Sequence, residues 1–178
     1  GTLASVAAQS MDVSANSEEL SEIELNRSNG VVESADDVVK GGTKTISYTE
    51  YDDIYQSSIQ NAGKDKVMLG KYDGGGSTSY ITKAGKDYEY FSLGKDWDAI
   101  KAQYGYSDSE MFKLFNESFL DDGINAGKTF QFSHDPRFDT ASLGEELKYL
   151  EQHGYVYDVG SMSASFDESI IGINGIVN

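Results

Sequence analysis

The segment from Ser107 to Gly127 constrains the fold of this chain more than any other. Ser107 and Glu110 have the spacing of a capping box, in which each side chain bonds a backbone amide at the start of a helix. The pattern predicts one long amphipathic helix, which must bury its apolar face against other elements. The apolar residues that recur at helical spacing before Gly127 are Met111, Phe112, Phe115, Phe119, Leu120 and Ile124.

Shorter patterns on both sides of this segment predict further helices and strands. A run of glycines at 74–76 joins the first two strands and predicts a hairpin. The mixed order predicts an α+β domain, in which an antiparallel or mixed sheet packs with helices. The further predicted helices are 49–59, 96–104 and 142–150, with caps at Thr49 and Ser142, and the predicted strands are 67–72, 79–82, 88–93, 129–133 and 155–159.

Charge divides the chain into three parts. The 30 Asp and Glu outnumber the 14 Lys and Arg, but residues 64–101 carry a net charge of +1 between acidic ends. Residues 1–45 are mostly polar, so we expect an acidic, weakly structured arm or linker there, with room for one short helix near 17–25. A compact domain then occupies 46–178. The net charge of −16 disfavours a general nucleic-acid scaffold and leaves room for a local basic groove.

The absence of cysteine restricts the available chemistry. It excludes disulfides, Cys-based zinc sites, iron–sulfur clusters and thiol nucleophiles. No His, Asp or Glu spacing matches a calcium loop or a zinc site, so we expect no metal and no cofactor. Charged residues interrupt every apolar stretch well before the roughly 20 residues that a spanning helix needs, so we expect no membrane span.

A cluster of chemically capable residues follows the strand predicted at 129–133. His134 could exchange a proton with a substrate hydroxyl, Ser133 could donate a hydrogen bond, and Arg137 could bind a phosphate. The same residue types are also ordinary turn formers, so a loop without catalytic function is the alternative.

Lysines alternate with aromatic residues between Lys64 and Lys101. Lys66 and Lys71 could contact phosphates while Tyr80 and Trp97 stack on bases, which is how many proteins bind single-stranded RNA. The alternative is that the lysines lie on a solvent-exposed face and that the aromatic rings fill the core.

Six motifs carry a family resemblance: KVMLGKY (66–72), SYI (79–81), YFSLG (90–94), SEMF (109–112), FSHDP (132–136) and ELKYL (146–150). Together they resemble the C-terminal toxin modules of bacterial polymorphic and contact-dependent inhibition systems. Many such modules are compact RNases of the barnase, colicin and RelE group. The resemblance implies a helix-plus-antiparallel-sheet fold, metal-free RNA cleavage and a cognate immunity protein. It also implies a domain that is secreted, or delivered into a target cell, as part of a larger protein.

Metal-free RNA cleavage needs one group that takes the 2′-hydroxyl proton, one that protonates the leaving oxygen, and cations near the phosphate. The resemblance, together with the lysine-rich stretch and the His134 loop, implies RNA as the substrate, with transfer RNA as one candidate. The expected catalytic residues are His134, Lys66, Lys71 and Arg137, and the expected substrate-binding residues are Tyr80, Trp97, Ser133 and Ser142.

Two other functions fit the sequence. A toxin module of this size could instead consume NAD, by glycohydrolysis or ADP-ribosyl transfer, with an aromatic pocket and a carboxylate such as Glu145. The chain could also be a non-catalytic, acidic and Tyr-rich secreted domain that binds a protein partner. In that case, replacing His134 with alanine would leave its biological effect unchanged.

Overall fold

A computed structural model describes residues 38–40, 45–71, 76–94, 96–139 and 141–169. Helices and strands follow one another in mixed order, which confirms the predicted α+β class. The helices are α1 (Tyr48–Ser57), α2 (Tyr80–Ala84), α3 (Asp96–Tyr104), α4 (Asp108–Met111), a π-helix (Phe112–Glu117), α5 (Ser118–Asn125), a short 3-10 helix (Pro136–Phe138) and α6 (Ser142–Gln152). The strands are β1 (Val38–Lys40), β2 (Thr45–Ser47), β3 (Ile59–Gln60), β4 (Lys66–Leu69), β5 (Tyr90–Phe91), β6 (Thr129–Phe132), β7 (Tyr155–Asp158) and β8 (Ser163–Phe166).

A mixed four-stranded sheet, in the order β4-β6-β8-β7, organises the domain. β4 and β6 are parallel, with Leu69 opposite Phe132, and β8 is antiparallel to both β6 and β7. Glu89 extends the parallel pairing on the other side of β4. Its carbonyl accepts a hydrogen bond from Met68 at 2.8 Å, and its amide donates one to the Lys66 carbonyl at 2.9 Å. Three parallel segments therefore end at the same edge of the sheet.

Aromatic side chains of the long helical segment pack against α1. The Tyr51 hydroxyl donates to the Leu114 carbonyl at 2.6 Å and forms a hydrogen bond with Ser118 Oγ at 2.9 Å. The Tyr51 ring lies 5.4 Å from that of Phe115. These contacts bury the face that helical spacing predicts, including Met111, Phe112, Phe115, Phe119 and Leu120.

The start of this segment confirms the predicted capping box. Ser107 Oγ accepts from the Glu110 amide at 3.1 Å, and the Glu110 carboxylate accepts from the Ser107 amide at 2.8 Å. The segment is not α-helical throughout, because Phe112–Glu117 forms a π-helix. π-helices are rare and frequently mark functional sites, and this one contains the buried side chain of Asn116.

The strand predicted at 79–82 is wrong, and so is the hairpin that included it. Tyr80–Ala84 is helix α2, whose two buried side chains lie four residues apart and pack against Met68 of β4. α2 connects β4 to the parallel segment at Glu89. A parallel pair needs such a crossover and cannot be joined by a tight turn. Residues 72–75 lie outside the described residues.

Helix α1 begins earlier than predicted. Ser47 Oγ accepts from the Glu50 amide at 3.1 Å, so Ser47 is the cap and Thr49 is not. Ser47 also ends β2, which pairs antiparallel with β1. Helix α1 ends at Ser57, and Ile59, which was predicted to belong to it, lies in β3. The patterns did not predict β1, β2, β3 or β8.

The predicted arm at 1–45, with its short helix near 17–25, lies outside the described residues except for β1 and Thr45. Within the part of the chain that the structure describes, no helix has both the length and the apolar character needed to cross a bilayer.

Replacement of Ser107 with alanine should lower the free energy of unfolding by about 1 kcal/mol, because it removes the acceptor for the Glu110 amide. Ser109 is the matched control, since it occupies the same first turn without forming the cap. Urea unfolding of both variants measures the difference. Equal stability of the two variants would contradict the assigned role of the cap.

Candidate functional site

The carboxyl ends of β4 and β6 bring two segments of the chain together. Gly70 and Lys71 follow β4, while Ser133 and His134 follow β6. We call these four residues the carboxyl edge. In open sheets with parallel strands, ligands commonly bind outside the carboxyl ends of the strands. The carboxyl edge is therefore the candidate functional site.

Gly70 and Ser133 approach each other so closely that no side chain fits at position 70. A Cβ atom on Gly70 would lie 1.7 Å from Ser133 Oγ. Ser133 is only 2% exposed, and its Oγ accepts a hydrogen bond from the Lys71 amide at 3.2 Å. The same oxygen lies 2.7 Å from Nδ1 of the half-buried His134. Ser133 thus orients the imidazole through a hydroxyl that is itself fixed to the backbone of the neighbouring segment.

Two lysines reach this edge. Lys83, from α2, donates from Nζ to the Ser133 carbonyl at 2.5 Å. Lys71 Nζ lies 3.0 Å from Asp139 Oδ1. The predicted site residues His134, Lys71 and Ser133 are therefore brought together, and Lys83 joins them although the sequence marked it only as one lysine among several.

Asp139 connects the edge to helix α6. Its Oδ2 accepts from the amides of Leu143 at 2.9 Å and Gly144 at 3.1 Å, while its Oδ1 pairs with Lys71. Partial burial opposes ionisation, but these bonds outweigh it and lower the pKa of Asp139. The cap predicted at Ser142 is therefore wrong, because Asp139 bonds the first amides of the helix.

Arg137 is held by Asp135. Its Nε and Nη2 atoms donate to the two carboxylate oxygens at 3.0 and 2.7 Å. The hydrogen bond from the Arg137 side chain lowers the pKa of Asp135 to about 2. Tyr157 donates to the same carboxylate at 3.2 Å, and burial followed by the Asp135 charge raises the pKa of Tyr157 to about 12. Arg137 is exposed, but any phosphate that binds it must compete with Asp135.

Four of the predicted site residues are not available to contact a substrate at the carboxyl edge. Lys66 lies at the opposite end of β4, roughly 10 Å from Leu69 at about 3.3 Å per residue. Tyr80 is buried and donates its hydroxyl to the Phe91 carbonyl at 2.7 Å. Trp97 and Ser142 are also buried. Burial removes the ring faces on which bases were expected to stack.

The sequence patterns missed a buried carboxyl group. Glu146 of α6 is 5% exposed and hydrogen-bonds with Asn116 of the π-helix. Burial raises its pKa to about 8, with a smaller contribution from the Asp139 charge and against the opposing effect of Asn116. At neutral pH this group holds a proton.

The positions of Glu146 and Asn116 on their helices could have indicated from the sequence that both side chains are buried. Glu146 lies three residues after Leu143 and four before Leu150, which places it on the buried face of α6. Asn116 lies four residues after Phe112 and three before Phe119, again on a buried face. A polar residue on an apolar stripe must find a partner, and here each is the partner of the other.

Across the described ranges, no group of three or more His, Asp or Glu side chains is arranged to hold a metal ion. Comparison with known proteins found no matching family model, no matching curated protein and no matching solved structure.

The stability of the protein should fall as the pH rises from about 5 to 8. The unfolded chain loses the Glu146 proton near the ordinary value of 4.5, whereas the folded protein retains it up to about 8. The folded state therefore binds one more proton in this window, so Glu146 lowers the free energy of unfolding by about 1.4 kcal/mol per pH unit.

Urea unfolding at several pH values measures this effect. Glu146→Gln should be progressively more stable than wild type up to pH 8, while Glu145→Gln, changed at the next position, should follow the wild-type curve. Parallel curves for wild type and Glu146→Gln would contradict the burial of a protonated carboxyl group.

Proposed function

We propose that this protein cleaves RNA at the carboxyl edge, with His134 as the general base. The observation that supports this proposal best is the environment of His134. Ser133 holds its ring at 2.7 Å, and the Lys83 ammonium donates to the Ser133 carbonyl. Lys71 joins the same segment through its backbone amide, while its ammonium pairs with Asp139. The resemblance to toxin modules is consistent with it.

The proposed reaction needs only groups at this edge. His134 takes the proton of the 2′-hydroxyl, whose oxygen attacks the adjacent phosphorus. The bond from phosphorus to the 5′ oxygen breaks, and a lysine ammonium, from Lys71 or Lys83, protonates the leaving oxygen. The products are a 2′,3′-cyclic phosphate and a 5′-hydroxyl end. Lysine ammonium groups also stabilise the charge that develops on the phosphoryl oxygens.

Phe138 offers a surface for a base in place of Tyr80 and Trp97. Its side chain is 79% exposed, and the Arg137 guanidinium lies 5.0 Å from the centre of its ring. Exposed rings beside cations are common in the binding of single-stranded RNA. Lys71 and Arg137 would exchange their carboxylate partners for the phosphate when RNA binds.

The resemblance supports three further parts of the proposal. The domain is part of a larger protein and is secreted or delivered into a target cell. A cognate immunity protein binds it and blocks the carboxyl edge. Transfer RNA is the first substrate to test.

The purified protein should cleave transfer RNA or total RNA in a buffer that contains a metal chelator. His134→Ala should lower the cleavage rate at least about 100-fold, because it removes the general base. His153→Ala is the matched control, since His153 lies at the end of α6 and bonds the Tyr149 carbonyl at 2.7 Å. Gel analysis of RNA ends measures both rates.

Absence of cleavage by folded wild-type protein would overturn the proposal. Equal loss of activity in the two histidine variants would remove His134 from the mechanism. If His134→Ala retains the full biological effect, the non-catalytic alternative is favoured.

One observation favours NAD consumption as a second candidate. Glu146 lines a small cavity together with Tyr80, Phe91 and Trp97, which combines a carboxyl group with aromatic walls. Its volume of about 20 Å³ admits the carboxamide NH2 group of nicotinamide and not the whole ring. Glu145, the carboxylate named from the sequence, does not line this cavity and lies 3.7 Å from the Lys148 ammonium. If the protein consumes NAD, loss of the dinucleotide should be abolished in Glu146→Gln and unchanged in Glu145→Gln. Chromatography of the nicotinamide released from NAD measures this loss. If wild-type protein releases no nicotinamide, this candidate function is contradicted.

A further inference from the structure

Asn116 presents a hydrogen-bond acceptor that the described part of the chain does not satisfy. The side chain is 8% exposed and bonds Glu146, yet its Oδ1 atom has no partner among the described residues. A buried acceptor without a donor costs about 1 to 3 kcal/mol. A protein keeps such a group when something offsets this cost, and a bound ligand that supplies the donor is one such compensation.

A cavity lies beside the Asn116 side chain. It has a volume of about 20 Å³, which is room for a single water-sized group. An amino group has about this size, and it carries two N–H donors. Asn116 and Glu146, whose side chains carry acceptor oxygens, are both in the lining. The other side chains that line the cavity are apolar or aromatic, including Leu69, Tyr80, Phe91, Leu93, Trp97 and Phe119.

The cavity adjoins the carboxyl edge. Gly70 belongs to both, since it lines the cavity and also contacts Ser133. Phe91 and Leu93, which also line it, follow the parallel segment at Glu89. The cavity therefore lies at the carboxyl ends of two parallel segments, where ligands of such sheets commonly bind.

We infer that this cavity is a specificity site, which accepts the amino or carboxamide NH2 group of a planar nitrogen heterocycle belonging to a nucleotide. One N–H of that group donates to Asn116 Oδ1 and the other to a Glu146 carboxyl oxygen. The nucleotide class rests on the proposed function. The NH2 group has two sources, a base of RNA or the nicotinamide of a dinucleotide, and the experiment separates them.

The experiment uses the full chain and defined probes. Isothermal titration calorimetry compares AMP and GMP with inosine monophosphate, whose base lacks the NH2 group of both, and compares NAD with its deamidated analogue. The single tryptophan, Trp97, lines the cavity and provides a second readout by fluorescence. At least one NH2-bearing probe should bind about tenfold more tightly, or better, than its counterpart without that group.

Asn116→Leu should abolish this preference, because it removes the acceptor and keeps a similar volume. Glu145→Gln is the matched control and should keep the wild-type preference. If Asn116→Leu does not fold, the comparison of probes on wild-type protein still decides the inference. A preference among the mononucleotides identifies an RNA base, and a preference for NAD over its deamidated analogue identifies nicotinamide.

The inference is overturned if no probe binds wild-type protein, or if the paired probes bind with equal affinity. Its failure is distinguishable from failure of the ribonuclease proposal. RNA cleavage by wild-type protein without any NH2 preference retains the ribonuclease and removes this site. NH2-dependent binding without RNA cleavage retains this site and removes the ribonuclease.

Discussion

The close contact between Gly70 and Ser133 is the constraint on which the site depends. This contact forms because β4 and β6 are parallel neighbours, so the residues that follow the two strands lie at the same edge of the sheet. The missing side chain at position 70 lets Ser133 Oγ reach the Lys71 amide and the His134 ring together. A side chain at this glycine would move Ser133, and with it the imidazole.

Two cations near the edge are paired with carboxylates. Asp139 pairs with Lys71, and Asp135 holds Arg137 in a bidentate bond. These pairs reconcile a strongly acidic chain with a local group of cations. A phosphate that binds Lys71 or Arg137 must displace a carboxylate, whereas the Lys83 ammonium bonds a carbonyl. Contacts away from the phosphate would then add to selectivity. The Glu146 and Asn116 cavity provides a contact of that kind.

Much of the helical structure could be predicted, because its signals lie within a few residues of one another. The Ser107 and Glu110 box and the apolar spacing after it are local patterns, and both are confirmed. The strand predicted at 79–82 is wrong because this prediction, too, used only a local pattern. Three or four residues do not distinguish a strand from one helical turn, and the parallel segment at Glu89 decides between them.

By itself, the sequence determined the α+β class, the long helical segment and the placement of His134 after a strand, since all three follow from local periodicity and turn chemistry. It also named His134, Ser133 and Lys71 as members of one site. Only the tertiary structure decided that Tyr80 and Trp97 are buried, that Lys66 lies at the far end of its strand, and that Glu146 meets Asn116. Those outcomes depend on contacts between distant parts of the chain, such as Lys71 and Ser133, which are 62 residues apart, and no local pattern contains them.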